Sequence, residues 1–328
     1  MKKSIIFVNM HGYGDIVHSR QGVRWAVDQL GDQFDYYFIH VMHKDTCFIH
    51  EKVKVITLPR DWFATRMIRV KSMIDPLPFM KDALWVDVWA ASHEKMVVVP
   101  HFGHKLPDEN GEYHGGCEEV QDTTEWQVKL WKEKVKDIND FLVENFSTKK
   151  LVVPDHTEFV CKWNSNPRHK FFADRFLERT KDFDLHVLIC NGDTTSGQRK
   201  NFVYEDILSD YIISNPNVCF YLTAKINEIK APNVFYVDDE FPKPNLDEIE
   251  YLMKFCDVVV TSQSGPGCLA FTDAIVFDET KTLIIFCGDI VHTYFAQGVC
   301  EYVRTSNFDD DNILNTIKNT VEKKLSSL

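Results

Sequence analysis

Two glycine-bearing turns, one near each end of the chain, carry residues suited to holding a phosphorylated ligand. At 262–267 the sequence reads Ser-Gln-Ser-Gly-Pro-Gly, between the apolar run Val258–Val260 and an apolar helical start. Gly265 and Gly267 permit close backbone approach, Pro266 suits a helix's first turn, and Ser262, Gln263 and Ser264 add polar groups beside amides that can face an anion. The same residue types also suit an ordinary strand-to-helix turn. A second candidate follows the apolar segment Leu185–Cys190: Asn191, Thr194 and Thr195 lead to Arg199 and Lys200. An Arg fork and a Lys point charge can clamp a diphosphate and offset charge on a leaving group without a metal. A solvated surface loop is the alternative for this stretch. The other glycine turn, at 9–19, contains His11, Gly12, Gly14, Asp15 and His18. Asp15 before an apolar periodic segment is a good helix N-cap, and His11 and His18 are more often polar turn residues than proton-transfer groups.

These turns need strands and helices to hold them. Strands are expected at Ser4–Asn9, Tyr36–Met42, Val53–Leu58, Leu84–Val88, Met96–Pro100 and Lys150–Val153, with helices near Arg20–Leu30 and over Thr123–Asn145. After the breaker-rich junction Trp163–Pro167, helices at Lys170–Thr180, Tyr204–Ile213 and Asp247–Phe255 alternate with strands at Leu185–Cys190, Val218–Thr223, Val234–Val237, Val258–Thr261 and Thr282–Phe286. A last helix carries Ile313, Ile317 and Val321 on one face. Such alternation predicts an α/β protein of two Rossmann-like, doubly wound lobes facing a central cleft, 1–165 and 166–328, with the last helix packing back on the first lobe.

Composition narrows the partners. The 328 residues are 44% hydrophobic and 26% charged, the profile of a folded globular chain. With 49 Asp plus Glu against 37 Lys plus Arg, the net charge of -12 argues against nucleic-acid binding. The nine cysteines, several within apolar runs, suit reduced core thiols and a cytoplasmic location. The run Ile5–Val8 after Lys2 and Lys3 is too short for a secretory signal, and no stretch reaches the ~18 apolar residues of a membrane span.

Two further segments carry possible chemistry. His101, His104, His114 and Cys117 form an H-x2-H and an H-x2-C, a spacing open to zinc, to an acceptor-contacting loop, or to solvent. Residues 60–81 combine Arg and Lys with an apolar helical face of Phe63, Met67, Val70 and Ile74. This face suits either core or peripheral contact with a membrane or lipid-linked acceptor.

Gln263-Ser264-Gly265-Pro266, then Leu269-Ala270, then Leu283–Phe286 followed by Cys287-Gly288 resemble the second lobe of GT-B glycosyltransferases, and among them the heptosyltransferase family (glycosyltransferase family 9). That family has an aspartate-serine-glycine-proline turn, a Leu-Ala helix and a strand ending in Phe-Gly. Its first lobe carries a Gly-Asp pair whose aspartate is the proposed base, matched here by Gly14-Asp15. The resemblance implies transfer of a sugar from a nucleotide-diphosphate donor to a hydroxyl of a glycan or glycolipid, inverting and metal-independent, with no cofactor. Asp15 would be the base; Asn191, Thr194, Thr195, Arg199, Lys200 and residues 262–266 would hold the donor; His11, Gly12, Gly14, His101 and His104 would lie on the acceptor side. Gln263 stands where the family has aspartate and Cys268 where a histidine precedes Leu-Ala, so the resemblance carries the fold and not the heptose.

Two competitors share the architecture, a nucleotide-sugar epimerase or hydrolase and a non-catalytic nucleotide-sugar-binding protein. A dinucleotide oxidoreductase is disfavoured because Val17 stands where G-x-G-x-x-G needs its third glycine.

Overall fold

A computed structural model describes residues 2–9, 13–40, 49–58, 83–88, 123–146, 151–153, 163, 167–192, 203–240, 246–262, 264–286 and 298–328. The chain divides into two compact units, Met1–Cys161 and Lys162–Leu328. The expected strand Met96–Pro100 and the basic segment 60–81 lie outside the described residues.

In the first unit, β1 (Ser4–Val8), β2 (Asp35–His40), β3 (Val53–Thr57) and β4 (Leu84–Asp87) form a wholly parallel sheet in the order β3-β2-β1-β4. Strand β1 is a continuous apolar run because both sheet faces are covered. Ile5 and Phe7 join a core with Ile16, Val23 and Val27 of helix α1 (Tyr13–Leu30) and Trp131, Ile138 and Leu142 of helix α2 (Thr123–Phe146). Ile6 and Val8, pointing the other way by the strand's two-residue period, join Tyr37 and Ile39. The two helices meet where Trp131 lies over Gly22; a Cβ there would fall 1.7 Å from the indole ring. Gly31 at φ 63, a conformation favouring glycine, follows the end of α1.

Two expectations change here. Helix α1 starts at Tyr13, so Gly14 and Asp15 lie in its first turn and not in a loop before it. The expected strand Lys150–Val153 is not a strand over Leu151–Val153. Side chains take the place of a neighbouring strand: Asn139 accepts from Leu151 N at 2.7 Å and donates to Leu151 O at 3.1 Å. Gln29 likewise accepts from Val152 N at 3.3 Å and donates to its carbonyl at 3.2 Å.

The second unit holds β5 (Leu185–Ile189), β6 (Val218–Leu222), β7 (Val234–Tyr236), β8 (Val258–Ser262), β9 (Thr282–Phe286) and β10 (Glu301–Thr305), all parallel, in the order β10-β9-β8-β5-β6-β7. Counted within the unit this is 3-2-1-4-5-6, the doubly wound dinucleotide-binding order. The edge strand β10, a partly exposed Glu-Tyr-Val-Arg-Thr, escaped the sequence reading because it lacks an apolar run. Its described residues also form helices α3 (Pro167–Thr180), α4 (Tyr204–Ser214), α5 (Val237–Glu240), α6 (Leu246–Phe255), α7 (Gly265–Leu269), α8 (Asp273–Val276) and α9 (Asp310–Leu325). Ile313, Ile317 and Val321 of α9 are buried with Leu208 and Ile212 of α4 against β5, β6 and β8, in the second unit's own core.

Trp163, in the expected junction, is fastened to the second unit. Its amide donates to Asp273 Oδ1 at 2.6 Å, its indole N–H to Glu250 O at 3.1 Å, and Lys254 Nζ sits 3.9 Å from its ring centroid. Among the described residues no helix is long and apolar enough to cross a membrane.

Candidate functional site

Open parallel sheets bind ligands outside the carboxyl ends of their strands, where the strand order reverses. In the second unit that point lies between β5 and β8, which lead into Asn191–Gly192 and into Ser262. Cys190 N bonds Val260 O at 2.9 Å, so the segment leaving β5 runs beside the last residues of β8.

Asn191 follows β5 and is 2% exposed. Its amide nitrogen donates to Glu205 Oε1 at 2.9 Å and to Ala224 O at 2.7 Å. Its oxygen accepts from Ala224 N at 2.8 Å and from the Thr223 hydroxyl at 3.2 Å. Both donors and both acceptor positions of the amide are therefore engaged by protein. Through its side-chain amide Asn191 brackets the ends of β5 and β6. Glu205, in the first turn of α4, also accepts from Ile226 N at 3.2 Å and extends the bracket to the segment after β6.

The β8–α7 turn is also drawn together by its own hydroxyls. Thr261 Oγ1 and Ser264 Oγ both donate to Ser262 O, at 3.1 and 3.0 Å. The Ser264 hydroxyl thus faces a carbonyl within the turn. Ser262 Oγ is fully buried and, among the described residues, has no partner. Gly265 and Pro266 open α7 as expected, but the helix has five residues, and Pro266 contributes no N–H. Within the turn Gly267 leaves no room for a side chain: a Cβ there would lie 2.6 Å from Ser262 O.

In the first unit the order reverses between β1 and β4, and Val88 N bonds Val8 O at 3.1 Å. Asn9, fully buried at the end of β1, donates from Nδ2 to Ser19 Oγ at 3.1 Å, and Ser19 donates to Ile16 O at 2.9 Å. This contact ties the strand end to the second turn of α1. As the third residue of α1, Asp15 is past the N-cap position.

His40 ends β2, 2% exposed, with Nε2 3.2 Å from the Thr57 hydroxyl. Burial pushes its pKa down from 6.5 to about 4. The unfolded chain takes up this proton near the ordinary value, so the stability of the neutral, buried imidazole is complete above pH 6.5 and declines as pH falls toward 4. The loss is on the order of 3 kcal/mol. Urea melts from pH 7 to pH 4 should show this slope in the wild type and a shallower one in His40→Asn; parallel slopes would contradict the assignment.

Sequence reasoning missed Asn9, Glu205, Thr223 and His40. Each acts through a partner at least ten residues away, as Asn9 does with Ser19, leaving no local pattern. The remaining named residues, His11, Gly12, His101, His104, His114, Cys117, Thr194, Thr195, Arg199, Lys200 and Gln263, lie outside the described residues.

No family model and no curated protein matches the sequence. Solved structures do match in fold. The glycosyl transferase family 9 protein from Veillonella parvula is 10% identical, the match covering 97% of this chain and 89% of that one, with a TM-score of 0.51. The E. coli heptosyltransferase WaaC with ADP is 13% identical over 98% of this chain and 99% of that one, with a TM-score of 0.50. E. coli ADP-heptose LPS heptosyltransferase II is 13% identical over 99% of each chain, with a TM-score of 0.52. At these identities the likeness shows the fold: the chain is α/β and GT-B-like.

Proposed function

We propose that the protein is a glycosyltransferase moving a sugar from a nucleotide-diphosphate donor to a hydroxyl of a glycan or glycolipid. One observation carries the reading: the fold follows, over nearly the whole length of both chains, heptosyltransferases, one of them solved with ADP. The doubly wound order of the second unit supports a donor site at the β5/β8 reversal.

In this reading Asp15 removes the proton of the acceptor hydroxyl as its oxygen attacks the anomeric carbon. The bond to the nucleoside diphosphate breaks in the same displacement, which inverts the centre. Arg199 and Lys200 take the charge appearing on the departing diphosphate, so the scheme needs no metal. The β8–α7 turn contributes backbone amides, with the Thr261 and Ser264 hydroxyls engaged in holding its shape.

Thermal-shift measurements against ADP, UDP, GDP, CDP and dTDP test the donor site. A ligand at 100 times its dissociation constant stabilises by about 2.7 kcal/mol, enough to raise the melting temperature by several degrees. One nucleoside diphosphate should do so, and silence from all five would contradict the reading.

A further inference from the structure

Glu205 is a buried carboxylate of which one half is in use. The residue is 1% exposed. Oε1 accepts from Asn191 Nδ2 and Ile226 N, whereas Oε2 is buried and, among the described residues, has no hydrogen-bond partner. Leaving a buried acceptor without a partner is costly, and more so for a charged group. Such an exception among buried polar atoms calls for an explanation. Glu205 lies at the carboxyl end of the sheet, where α4 begins beside the Asn191 bracket between the ends of β5 and β6. The neighbouring Asn191 amide cannot supply the missing donor, since both its N–H groups are engaged.

We propose that Glu205 Oε2 accepts a hydrogen bond from the nucleoside half of the donor, from a hydroxyl or an N–H. The proposal rests on the donor-site reading above. A carboxylate repels phosphate oxygens, which leaves the neutral donor groups of ribose and base as partners. The same side chain then has two duties: Oε1 shapes the ends of β5 and β6, and Oε2 reads the ligand. Nucleoside recognition and loop geometry are thereby joined in one residue.

Glu205→Gln separates the two duties. Its amide oxygen can keep the bonds from Asn191 and Ile226, while an NH2 group, which accepts nothing, replaces Oε2. Removing a half-paired buried charge leaves stability unchanged or raised. The test is calorimetric titration of wild type and Glu205→Gln with the nucleoside diphosphate that shifts the wild type most, and with its 2′-deoxy analogue. Affinity of the variant for the ribonucleotide should fall roughly 10- to 100-fold with no loss of melting temperature. If the partner is the 2′-hydroxyl, the deoxy analogue binds wild type and variant alike; if it is another hydroxyl or a base N–H, the variant loses affinity for both nucleotides. Equal ribonucleotide affinity in wild type and variant would overturn the proposal and leave the donor site standing. A variant that fails to fold would show that Oε2 already serves a donor within the protein, which overturns it too. A wild type that binds no nucleoside diphosphate would overturn both readings together.

Discussion

Asp15→Asn should lower the rate of sugar transfer by roughly 100- to 10,000-fold while leaving nucleoside diphosphate affinity near its wild-type value. The substitution keeps the shape of the side chain and removes its ability to take a proton from a hydroxyl. Its effect on folding is small: a first-turn carboxylate stabilises a helix by about 0.3–1 kcal/mol. A domain stable by about 5–15 kcal/mol remains folded after such a loss, so a hundredfold fall in turnover cannot come from unfolding. Because α1 already begins at Tyr13, loss of an N-cap does not explain the result either. Turnover within a few-fold of wild type, with the melting temperature lowered slightly, would show that Asp15 serves only the helix. Single-turnover assays with the donor saturating separate the two outcomes.

Gly267→Ala should destabilise the second unit by about 1–3 kcal/mol and weaken nucleoside diphosphate binding with it. The added Cβ would lie 2.6 Å from the Ser262 carbonyl oxygen, a backbone atom with no rotamer to change. That oxygen also accepts the Thr261 and Ser264 hydroxyls, so moving it disturbs the whole β8–α7 turn. Gly192→Ala is the matched control at the other flank of the reversal. Among the described residues a Cβ there meets the Ala224 methyl at 3.9 Å, an ordinary contact. Its stability should stay within about 0.5 kcal/mol of wild type. Urea melts of the two variants read the difference directly; equal melts would mean that the turn relaxes freely around an added methyl.

The strands were legible because parallel strands covered on both faces carry unbroken apolar runs, as Ile5–Val8, Val258–Val260 and Leu283–Phe286 do within theirs. Strand order was not written in any such run. It depends on which strand each crossover returns to, and it is this order that puts β5 beside β8 and β1 beside β4. The edge strand Glu301–Thr305 and the non-strand Leu151–Val153 went unread for opposite reasons. The former has little apolar signal and is defined by pairing with β9. The latter has an apolar signal, but its backbone is held by the side chains of Gln29 and Asn139.

For the candidate site, residue type located the segments but not the duty of each side chain. Ser264 and Asn191 look alike in sequence as polar groups beside a glycine. One hydroxyl bonds a carbonyl two residues back, and the other side chain is engaged by residues 14 to 33 positions away. Whether a polar group faces a ligand depends on partners that local sequence does not reveal. Glu205 shows the converse: a plain first-turn glutamate in sequence becomes, once folded, a buried carboxylate with one oxygen unpartnered among the described residues.

The central claim is that the carboxyl end of the second sheet, at the β5/β8 reversal, holds a nucleoside diphosphate. Hydrogen-exchange mass spectrometry of the full chain, with and without the nucleoside diphosphate that raises its melting temperature most, tests this directly. Protection should concentrate on peptides covering Asn191–Gly192, Thr223–Ile226 and Ser262–Leu269, and leave the opposite ends of the same strands, at Asp184 and Asp257, unchanged. Protection confined to residues of the first unit, or absent from all three of these segments, would contradict the account.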